Sequence, residues 1–257
     1  MIYAMSDIHG YLDIFQENLK RIDLSDENRL VLLGDYIDYG PQSGQTLRCV
    51  YDLQQRYGPE KVIVLRGNHE EDFLEWLKTY SGPHAGKPDR YGFVPSNVWL
   101  DTDPDYGTFR SLVTEGLWKR FRQDVQTASQ DIRNIKAARM VLLANAKLIS
   151  WLLKLPYFFE TDRQIFVHAG VEEEAEDLWE LATAPYVFTG KYPASVGRFY
   201  KDVIAGHIGT ARISGDPEFH GMYHDGQSHY YIDGTVNESG RIPILVYDEK
   251  SGEYWEE

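Results

Sequence analysis

The chain has 257 residues, of which 42% are apolar and 14% aromatic, and this supply of core-forming side chains excludes an intrinsically disordered protein. The 26 basic and 40 acidic residues give a formal net charge of −14, which disfavours long nucleic acid as a partner. A chain of this length is typical of one large α/β domain, so we expect a single domain over residues 1–257.

The single cysteine, Cys49, excludes an intramolecular disulfide and fits a reducing compartment, so we expect a cytoplasmic location. The apolar residues 1–5 carry no basic leader and are followed almost at once by Asp7. We therefore expect neither a signal peptide nor a membrane span there, and no membrane partner. The sequence does not indicate the oligomeric state.

Three apolar runs near the start of the chain predict buried strands. They cover residues 2–5, 30–33 and 62–65, and apolar residues recur at helical spacing between them, at 12–22 and 46–56. Alternating strands and helices predict a parallel α/β core, in which ligands bind beyond the carboxyl ends of the strands.

From about residue 71 to 155 the sequence becomes mainly helical, with helical spacing at 73–77, 109–121 and 132–153. We expect this part to be a helical insertion that covers one rim of the core. After Pro156, short apolar runs return at 165–167, 203–205, 230–232 and 244–247 with few helices between them, which predicts a second sheet.

Candidate metal ligands follow five of the predicted strands. They are Asp7 and His9, Asp35, Asn68, His168, and His207. Carboxylate oxygen and imidazole nitrogen suit Mn²⁺, Fe or Zn²⁺, and a carboxylate can bridge two ions. Each residue alone has an ordinary explanation, because aspartate often caps a helix and buried histidine often forms a structural hydrogen bond. Their coincidence at five strand ends predicts one shared metal site.

The loops that carry these ligands form an ordered set of motifs. They read S-D-I-H-G at 6–10, G-D-Y-I-D-Y-G at 34–40, R-G-N-H-E at 66–70, V-H-A-G at 167–170 and G-H at 206–207. The set resembles the motifs of calcineurin-like metallophosphoesterases, and most closely the phosphoprotein phosphatase branch. That branch includes bacterial serine/threonine phosphatases and diadenosine tetraphosphatases. The resemblance implies an α/β fold, a four-layer α/β/β/α sandwich of two mixed sheets, and phosphoester hydrolysis without a covalent enzyme intermediate.

The resemblance also implies a role for each motif residue. Two divalent ions are expected, most often Mn²⁺, with Fe or Zn²⁺ as alternatives. Asp38 is expected to orient His69, which donates a proton to the leaving alkoxide. The expected metal ligands are Asp7 and His9 for the first ion, Asp35 as the bridge, and Asn68, His168 and His207 for the second.

The chain departs from the family at the phosphate-binding positions. Tyr39 replaces an arginine that clamps the substrate phosphate, and Glu180 occupies the place expected for a second arginine. Tyrosine offers one hydrogen bond but no bidentate cation, so we expect weaker phosphate binding. Candidate substrate contacts are Asn68, Tyr39, Arg66, Lys191 and Arg198, and each of the three cations has an equally good explanation as a surface or structural charge.

We therefore expect hydrolysis of phosphomonoesters, with phosphoserine or phosphothreonine in proteins as one substrate class. The alternative is a dinucleoside polyphosphate hydrolase such as a diadenosine tetraphosphatase. In that case aromatic residues of the insertion would stack on a base, although we expect packing instead. They are Tyr91, Phe93, Trp99 and Tyr106. A third hypothesis, a metal-stabilised regulatory or binding protein with little turnover, is disfavoured by the presence of Asp38 and His69.

Two further clusters have ordinary explanations. His220 and His224 lie four residues apart with Asp225 and His229 nearby, but neighbouring glycines argue against one continuous helix. We expect a polar loop there and not a third metal site. We expect the acidic run 172–174 to be a solvated face.

Overall fold

The computed structural model describes residues 1–103 and 105–257, and ten strands of this part of the chain form two five-stranded sheets. The strands are β1 (Ile2–Met5), β2 (Arg29–Leu32), β3 (Val62–Val64), β4 (Phe158–Glu160), β5 (Gln164–Val167), β6 (Asp202–Ala205), β7 (Tyr223–His224), β8 (His229–Tyr231), β9 (Leu245–Tyr247) and β10 (Tyr254–Glu256). The first sheet has the order β10-β9-β1-β2-β3, and the second has the order β4-β5-β6-β8-β7.

Eleven α-helices connect and flank these strands in the described part of the chain, together with a 3₁₀ segment at Glu173–Leu178. The helices are α1 (Leu12–Leu19), α2 (Ser43–Tyr57), α3 (Asn68–Ser81), α4 (Trp99–Thr102), α5 (Gly107–Leu112), α6 (Glu115–Asp124), α7 (Gln130–Leu152), α8 (Trp179–Ala182), α9 (Pro185–Gly190), α10 (Thr210–Ser214) and α11 (Val236–Ser239). Within the described residues, no helix has the length and apolar character that crossing a membrane requires.

The three early strands pair as predicted, with β1 parallel to β2 and β2 parallel to β3. The late run at 244–247 does not join the second sheet, so that prediction is wrong. Its strand β9 pairs antiparallel with β1, with Leu245 opposite Ala4. The two strands lie at opposite ends of the sequence, and the local apolar pattern contains no information about such a distant partner.

The two sheets pack face to face with helices outside both. Ile2 and Ala4 of β1 point into an apolar layer that also contains Ile204 of β6, whereas Met5 joins the helix-covered core on the other face. On the outer face of the second sheet, Val203 packs in a cluster with Trp179. Because both faces of each central strand are covered, β1 and residues 203–205 of β6 are apolar and buried. The structure confirms the four-layer α/β/β/α sandwich of two mixed sheets.

The helical segment, residues 68–152, lies between β3 and β4 and comprises α3 to α7. The prediction of helical structure across 109–121 is wrong in one detail. The chain forms two helices here, α5 and α6, with a break between them. Thr114 has an extended backbone, with ψ at 156°, and its side chain accepts a hydrogen bond from Leu117 N. A threonine in this role caps a new helix and does not continue the previous one.

The four aromatic residues considered for base stacking are divided between core and surface. Trp99 is buried with its ring 4.9 Å from both Phe73 and Trp76, and Tyr106 packs 5.7 Å from Phe121. Tyr91 and Phe93 are exposed, by 77% and 65%. The expectation of packing is therefore confirmed for Trp99 and Tyr106 and wrong for Tyr91 and Phe93.

The histidines at 220–229 do not lie in one polar loop, because β7 and β8 form a hairpin here. His229 is fully buried, and its two ring nitrogens lie 3.1 Å from Asp225 Oδ2 and 3.0 Å from Glu173 Oε2. Burial alone would raise the pKa of Glu173, but hydrogen bonds from His229 and Ser195 outweigh burial and lower it to about 2. Glu173 is therefore a structural ion-pair partner, which corrects the expectation of a solvated face at that position.

We expect His229→Gln to lower the free energy of unfolding by about 3 kcal/mol, because it leaves two carboxylates facing each other without the imidazolium between them. Urea denaturation followed by circular dichroism measures this loss. The matched control is His224→Gln, since His224 is exposed and stacks on Tyr230. Equal stability of the two variants would show that the buried charges contribute nothing.

Candidate metal centre

The predicted ligands come together where the parallel strands of the two sheets end. Asp7, Asp35, His168 and His207 follow β1, β2, β5 and β6, and Asn68 opens α3 after β3. A small cavity of about 360 Å³ lies at this junction. Its lining includes Asp7, His9, Asp35, Asn68, His69 and His207. The structure therefore brings all the predicted ligands to one place, while their role in binding metal stays a prediction.

Sharp turns at the strand ends direct these side chains inward. Asp7, His9, Asp35 and His207 all have left-handed backbones, with φ of 54°, 46°, 57° and 65°. Residues other than glycine rarely adopt this conformation, and each instance costs roughly 1–3 kcal/mol. Such strain concentrated in four candidate ligands is typical of a functional site.

Asp35 lies at the centre of the cluster. Its Oδ2 atom is 3.3 Å from His168 Nε2, 3.7 Å from His9 Nε2 and 3.9 Å from His69 Nε2. Asp7 Oδ1 lies 3.8 Å from the same nitrogen of His9. Two groups of possible ligand atoms thus share Asp35, one with His9 and His69 and the other with His168 and His207. A carboxylate common to both groups is suited to bridge two ions.

Backbone carbonyls fix the orientation of two of the histidines. His9 Nδ1 donates to Ile37 O at 2.9 Å, and His168 Nδ1 donates to Leu33 O at 3.1 Å. With Nδ1 donating to a carbonyl, the Nε2 atom of each ring is directed toward Asp35. A histidine held through its other nitrogen in this way is the usual arrangement of a metal ligand.

Asn68 and two histidines form the other half of the cluster. Asn68 Oδ1 lies 2.9 Å from both His168 Nε2 and His207 Nδ1. Burial would lower the pKa of His168, but the Asp35 carboxylate outweighs burial and raises it to about 9, so without a metal ion the protonated Nε2 can donate to Asn68 Oδ1. A divalent cation would take the place of that proton among the same three atoms. The donor set therefore fits an ion such as Mn²⁺, Fe or Zn²⁺.

The charges in the cluster are strongly coupled. Burial raises the pKa of Asp7 to about 6, with the neighbouring Asp35 contributing in the same direction. Burial also opposes ionisation of Asp35, but the imidazoles of His168 and His69 outweigh it and hold the pKa of Asp35 below its usual range. Burial lowers the pKa of His207 to about 4, which leaves that ring neutral and able to bind a cation.

Close backbone approach keeps the two aspartates in the cluster. A Cβ atom on Gly67 would collide with the Asp35 carboxylate, and one on Gly206 would collide with Asp7 Oδ2. Glycine is therefore required beside both carboxylates.

Glu70 connects two of the ligand loops, a role that the sequence analysis did not assign. Its fully buried carboxylate accepts hydrogen bonds from the backbone N–H groups of Asp35, Tyr36 and Gly67, at 2.8, 2.8 and 3.0 Å. These bonds tie the loop after β2 to the start of α3. The signal available in the sequence was the glutamate two residues after Asn68 in the R-G-N-H-E motif.

Asp38 and His69 form the expected pair. His69 Nδ1 lies 2.7 Å from Asp38 Oδ2, and its Nε2 faces the cluster. Burial would lower the pKa of His69, but Asp35 and Asp38 outweigh it and raise the pKa to about 10. The ring is therefore protonated at neutral pH and can donate a proton. Its position beside Asp35 also makes it a rival to Asp7 as a metal ligand.

Asp233 is a second residue without a predicted role. It follows β8, is buried, and lines the small cavity with Asp7 and His9. Burial and the charge of Asp7 raise its pKa to about 7. No chemistry was assigned to this residue from the sequence. The structure places this carboxylate at the candidate centre.

A larger cleft, of about 1340 Å³, opens on the other side of His69. It lies between Tyr39 and the helical segment, and Trp99 contributes to its wall. Tyr39 has 69% of its surface exposed and packs edge-on against His9 and His69, with ring centroids 4.8 and 5.1 Å apart. Tyr39 therefore lines both the small cavity and the cleft, and its contact with a substrate phosphate stays a prediction.

Two of the three candidate cations, Arg66 and Lys191, are held by other groups. Arg66 donates to Glu71 at 2.5 Å and to the carbonyls of Leu152 and Leu155, so it ties α3 to the end of α7. These contacts support a structural role for Arg66 and not a contact with substrate. Lys191 donates to Val171 O and pairs with Glu173.

Arg198 lines a separate surface depression with Glu173 and Tyr200. None of Arg66, Lys191 and Arg198 lines either the small cavity or the cleft in the described part of the chain. A cationic substitute for the missing arginine is therefore not found among them.

A four-layer α/β sandwich with carboxylates and histidines clustered beyond its parallel strands defines the metallophosphoesterase class. The chain belongs to the calcineurin-like phosphoesterase family, whose model matches residues 1–236. This match confirms the resemblance seen in the motifs. It makes the chain a member of a family of phosphoric ester hydrolases with a divalent metal centre.

Curated relatives are symmetrical bis(5'-nucleosyl)-tetraphosphatases. The protein from Vibrio parahaemolyticus is 29% identical over 185 residues, which are 71% of this chain and 47% of the relative. The protein from Pseudomonas syringae pv. syringae is 37% identical over 74 residues, which are 28% of this chain and 24% of the relative. The chain thus matches about half or less of the length of these relatives.

Solved structures share the fold at low sequence identity. A cold-active protein tyrosine phosphatase has a TM-score of 0.56 and 16% identity, with 99% of this chain and 78% of the other covered. A protein described provisionally as a diadenosine tetraphosphatase has a TM-score of 0.53 and 17% identity, with 100% and 92% covered. At this identity the similarity shows the fold alone.

Proposed function

We propose that this chain hydrolyses phosphomonoesters at a dinuclear metal centre, with Mn²⁺ as the preferred ion and Fe or Zn²⁺ as alternatives. The observation that carries the proposal is that two groups of ligand atoms share the buried Asp35 carboxylate. Two ions there would activate the attacking water and neutralise charge on the phosphate. The proposed ligands are Asp7, His9, Asp35, Asn68, His168 and His207.

The protein groups around the centre complete the reaction. Asp38 accepts the Nδ1–H of His69 and stabilises the doubly protonated ring, whose second proton, on Nε2, faces the centre. That proton passes to the oxygen of the departing alcohol, which is a poor leaving group as an alkoxide. Asn68, at the start of α3, and Tyr39, at the rim, are placed to contact the phosphate oxygens.

The cleft beside His69 is the proposed site for the leaving group, because the proton donor must lie next to that group. Besides Asp38, three carboxylates line the cleft, those of Asp72, Asp103 and Asp105, together with the guanidinium of Arg110. An excess of acidic groups disfavours polyphosphate and favours a neutral or basic leaving group. A phosphoserine or phosphothreonine in a basic peptide fits this charge.

The second candidate function is hydrolysis of dinucleoside polyphosphates. The names of the two curated relatives described above favour it, since both are symmetrical bis(5'-nucleosyl)-tetraphosphatases. The exposed rings of Tyr91 and Phe93 in the helical segment offer stacking surfaces for a base. The acidic cleft and Tyr39 argue against it, because several adjacent phosphates require cations.

A substrate panel tests the proposed function. The protein is freed of metal with a chelator, reloaded with manganese, and assayed on p-nitrophenyl phosphate, basic and acidic phosphopeptides, diadenosine tetraphosphate and cyclic nucleotides. We expect metal-dependent phosphate release, fastest from the basic phosphopeptide. Turnover of diadenosine tetraphosphate alone would establish the second candidate. Manganese binding without any turnover would establish the regulatory or binding protein instead.

We expect Tyr39→Arg to lower KM for small phosphomonoesters about tenfold, because a charge-assisted hydrogen bond replaces a neutral one at an exposed position. Steady-state kinetics on p-nitrophenyl phosphate measure the change. Tyr186→Arg is the matched control, since it adds the same charge at another exposed tyrosine that lines neither cavity. A folded, metal-loaded Tyr39→Arg protein with unchanged kcat/KM would mean that this position does not face the phosphate.

We also propose that residues 1–257 form one domain with the helical segment as an insertion. The supporting observation is that Phe121 and Val141 of the helical segment share one apolar core with Met5 and Leu32 of the first sheet. The cytoplasmic location stays a prediction from the single cysteine.

A further inference from the structure

The Asp38 carboxylate is held by two donors from the helical segment. Trp99 Nε1 donates to Asp38 Oδ2 at 3.1 Å, and Thr108 Oγ1 donates to Asp38 Oδ1 at 2.7 Å. The Oδ2 atom also bonds His69 Nδ1. Each oxygen of this carboxylate therefore has a donor that comes neither from its own loop nor from the candidate metal ligands.

Both donors are themselves fixed by their surroundings. Trp99 is 8% exposed and packs between Phe73 and Trp76, with both ring centroids 4.9 Å away. Thr108 is 3% exposed, and its hydroxyl oxygen lies 3.2 Å from Ser43 Oγ. Ser43 Oγ accepts the backbone N–H of Asp38 at 3.0 Å, so the same network also holds the Asp38 backbone.

We propose that Trp99 and Thr108 are positioning residues that act through Asp38 on the proton donor His69. The inference rests on the proposed function. A carboxylate with donors on both oxygens is held against rotation, so the ring bonded to it keeps one direction, with Nε2 toward the centre. The helical segment is then part of the catalytic apparatus and not only a cover over the rim.

Substitution at Thr108 separates this role from packing. Thr108→Val removes the donor at nearly constant volume, and Thr108→Ser keeps it. We expect Thr108→Val to lower kcat about tenfold for an alkyl phosphate, with a much smaller loss for p-nitrophenyl phosphate, because only the alkoxide needs the proton. KM, manganese content and thermal midpoint should stay near the values of the unchanged protein. Thr108→Ser should retain activity.

Trp99→Phe removes the other donor, and we again expect about a tenfold loss of kcat. Its matched control is Trp118→Phe, since Trp118 belongs to the same helical segment and packs against Phe121. That control should leave the kinetics unchanged. If Trp99→Phe proves unstable, the pair of Thr108 variants decides the matter.

A double-mutant cycle with His69→Asn, measured on phenyl phosphate, tests whether the effect passes through His69. We expect Thr108→Val to cause no further loss once His69 is replaced. The inference is overturned if the Thr108→Val loss persists in the His69→Asn background, is equal for both leaving groups, or is shared by Thr108→Ser. If the unchanged, manganese-loaded protein hydrolyses no phosphomonoester, the proposed function fails and the inference fails with it.

Discussion

Replacing Asp35 with Asn is expected to abolish both the binding of two ions and the hydrolysis of p-nitrophenyl phosphate. Asp35 Oδ2 lies 3.3 Å from His168 Nε2 and 3.7 Å from His9 Nε2, between the two halves of the centre. The amide has neither the negative charge nor the second oxygen that a bridge between two cations needs. Elemental analysis of the purified variant gives the metal content per chain, and the same sample gives the rate.

The matched control for this change is Asp52→Asn, because Asp52 is an exposed residue of α2. It should keep both the metal and the activity. Circular dichroism tests whether the Asp35→Asn protein is folded. This check is necessary because Asp35 Oδ1 also accepts a hydrogen bond from the backbone N–H of His69 at 3.1 Å, and the substitution changes that contact. A folded Asp35→Asn protein that still holds two ions would remove Asp35 from the bridge.

Replacing His69 with Asn is expected to lower kcat by about 10²–10⁴-fold for an alkyl phosphate while metal content stays constant. The reason is that His69 carries the proton which the departing alkoxide requires. Nitrophenolate leaves without that help, so the loss for p-nitrophenyl phosphate should be far smaller. The ratio of the two losses is therefore the quantity to measure, and it is independent of enzyme concentration.

His84→Asn provides the control, since His84 is an exposed histidine of the helical segment. Equal losses on both substrates would argue against proton donation. Loss of one ion in His69→Asn would make His69 a ligand, as its 3.9 Å separation from Asp35 Oδ2 allows.

Local patterns were sufficient to predict the core and the position of the site. The apolar runs at 2–5, 30–33 and 62–65 are buried on both faces, so they stand out in the sequence and coincide with β1, β2 and β3 to within one residue. Parallel strands place their carboxyl ends at one edge, and the polar residues that follow them had to meet there. This is why Asp7 and Asp35 were found together.

Contacts between distant segments could not be predicted in the same way. The pairing of β9 with β1 and the ion pair of His229 with Glu173 join residues whose local patterns carry no information about each other. The same holds for the donors to Asp38, since Thr108 lies 70 residues away along the chain. Likewise, only the fold places Asp233 beside Asp7.

The most direct test of the dinuclear centre is an anomalous-scattering map of crystals of the manganese-loaded protein. We expect two manganese peaks on either side of Asp35, one bound by Asp7 and His9 and the other by the remaining ligands. Those remaining ligands are Asn68, His168 and His207. His69 should bind neither ion and should stay bonded to Asp38. A single peak, or a peak bound by His69, would contradict the account.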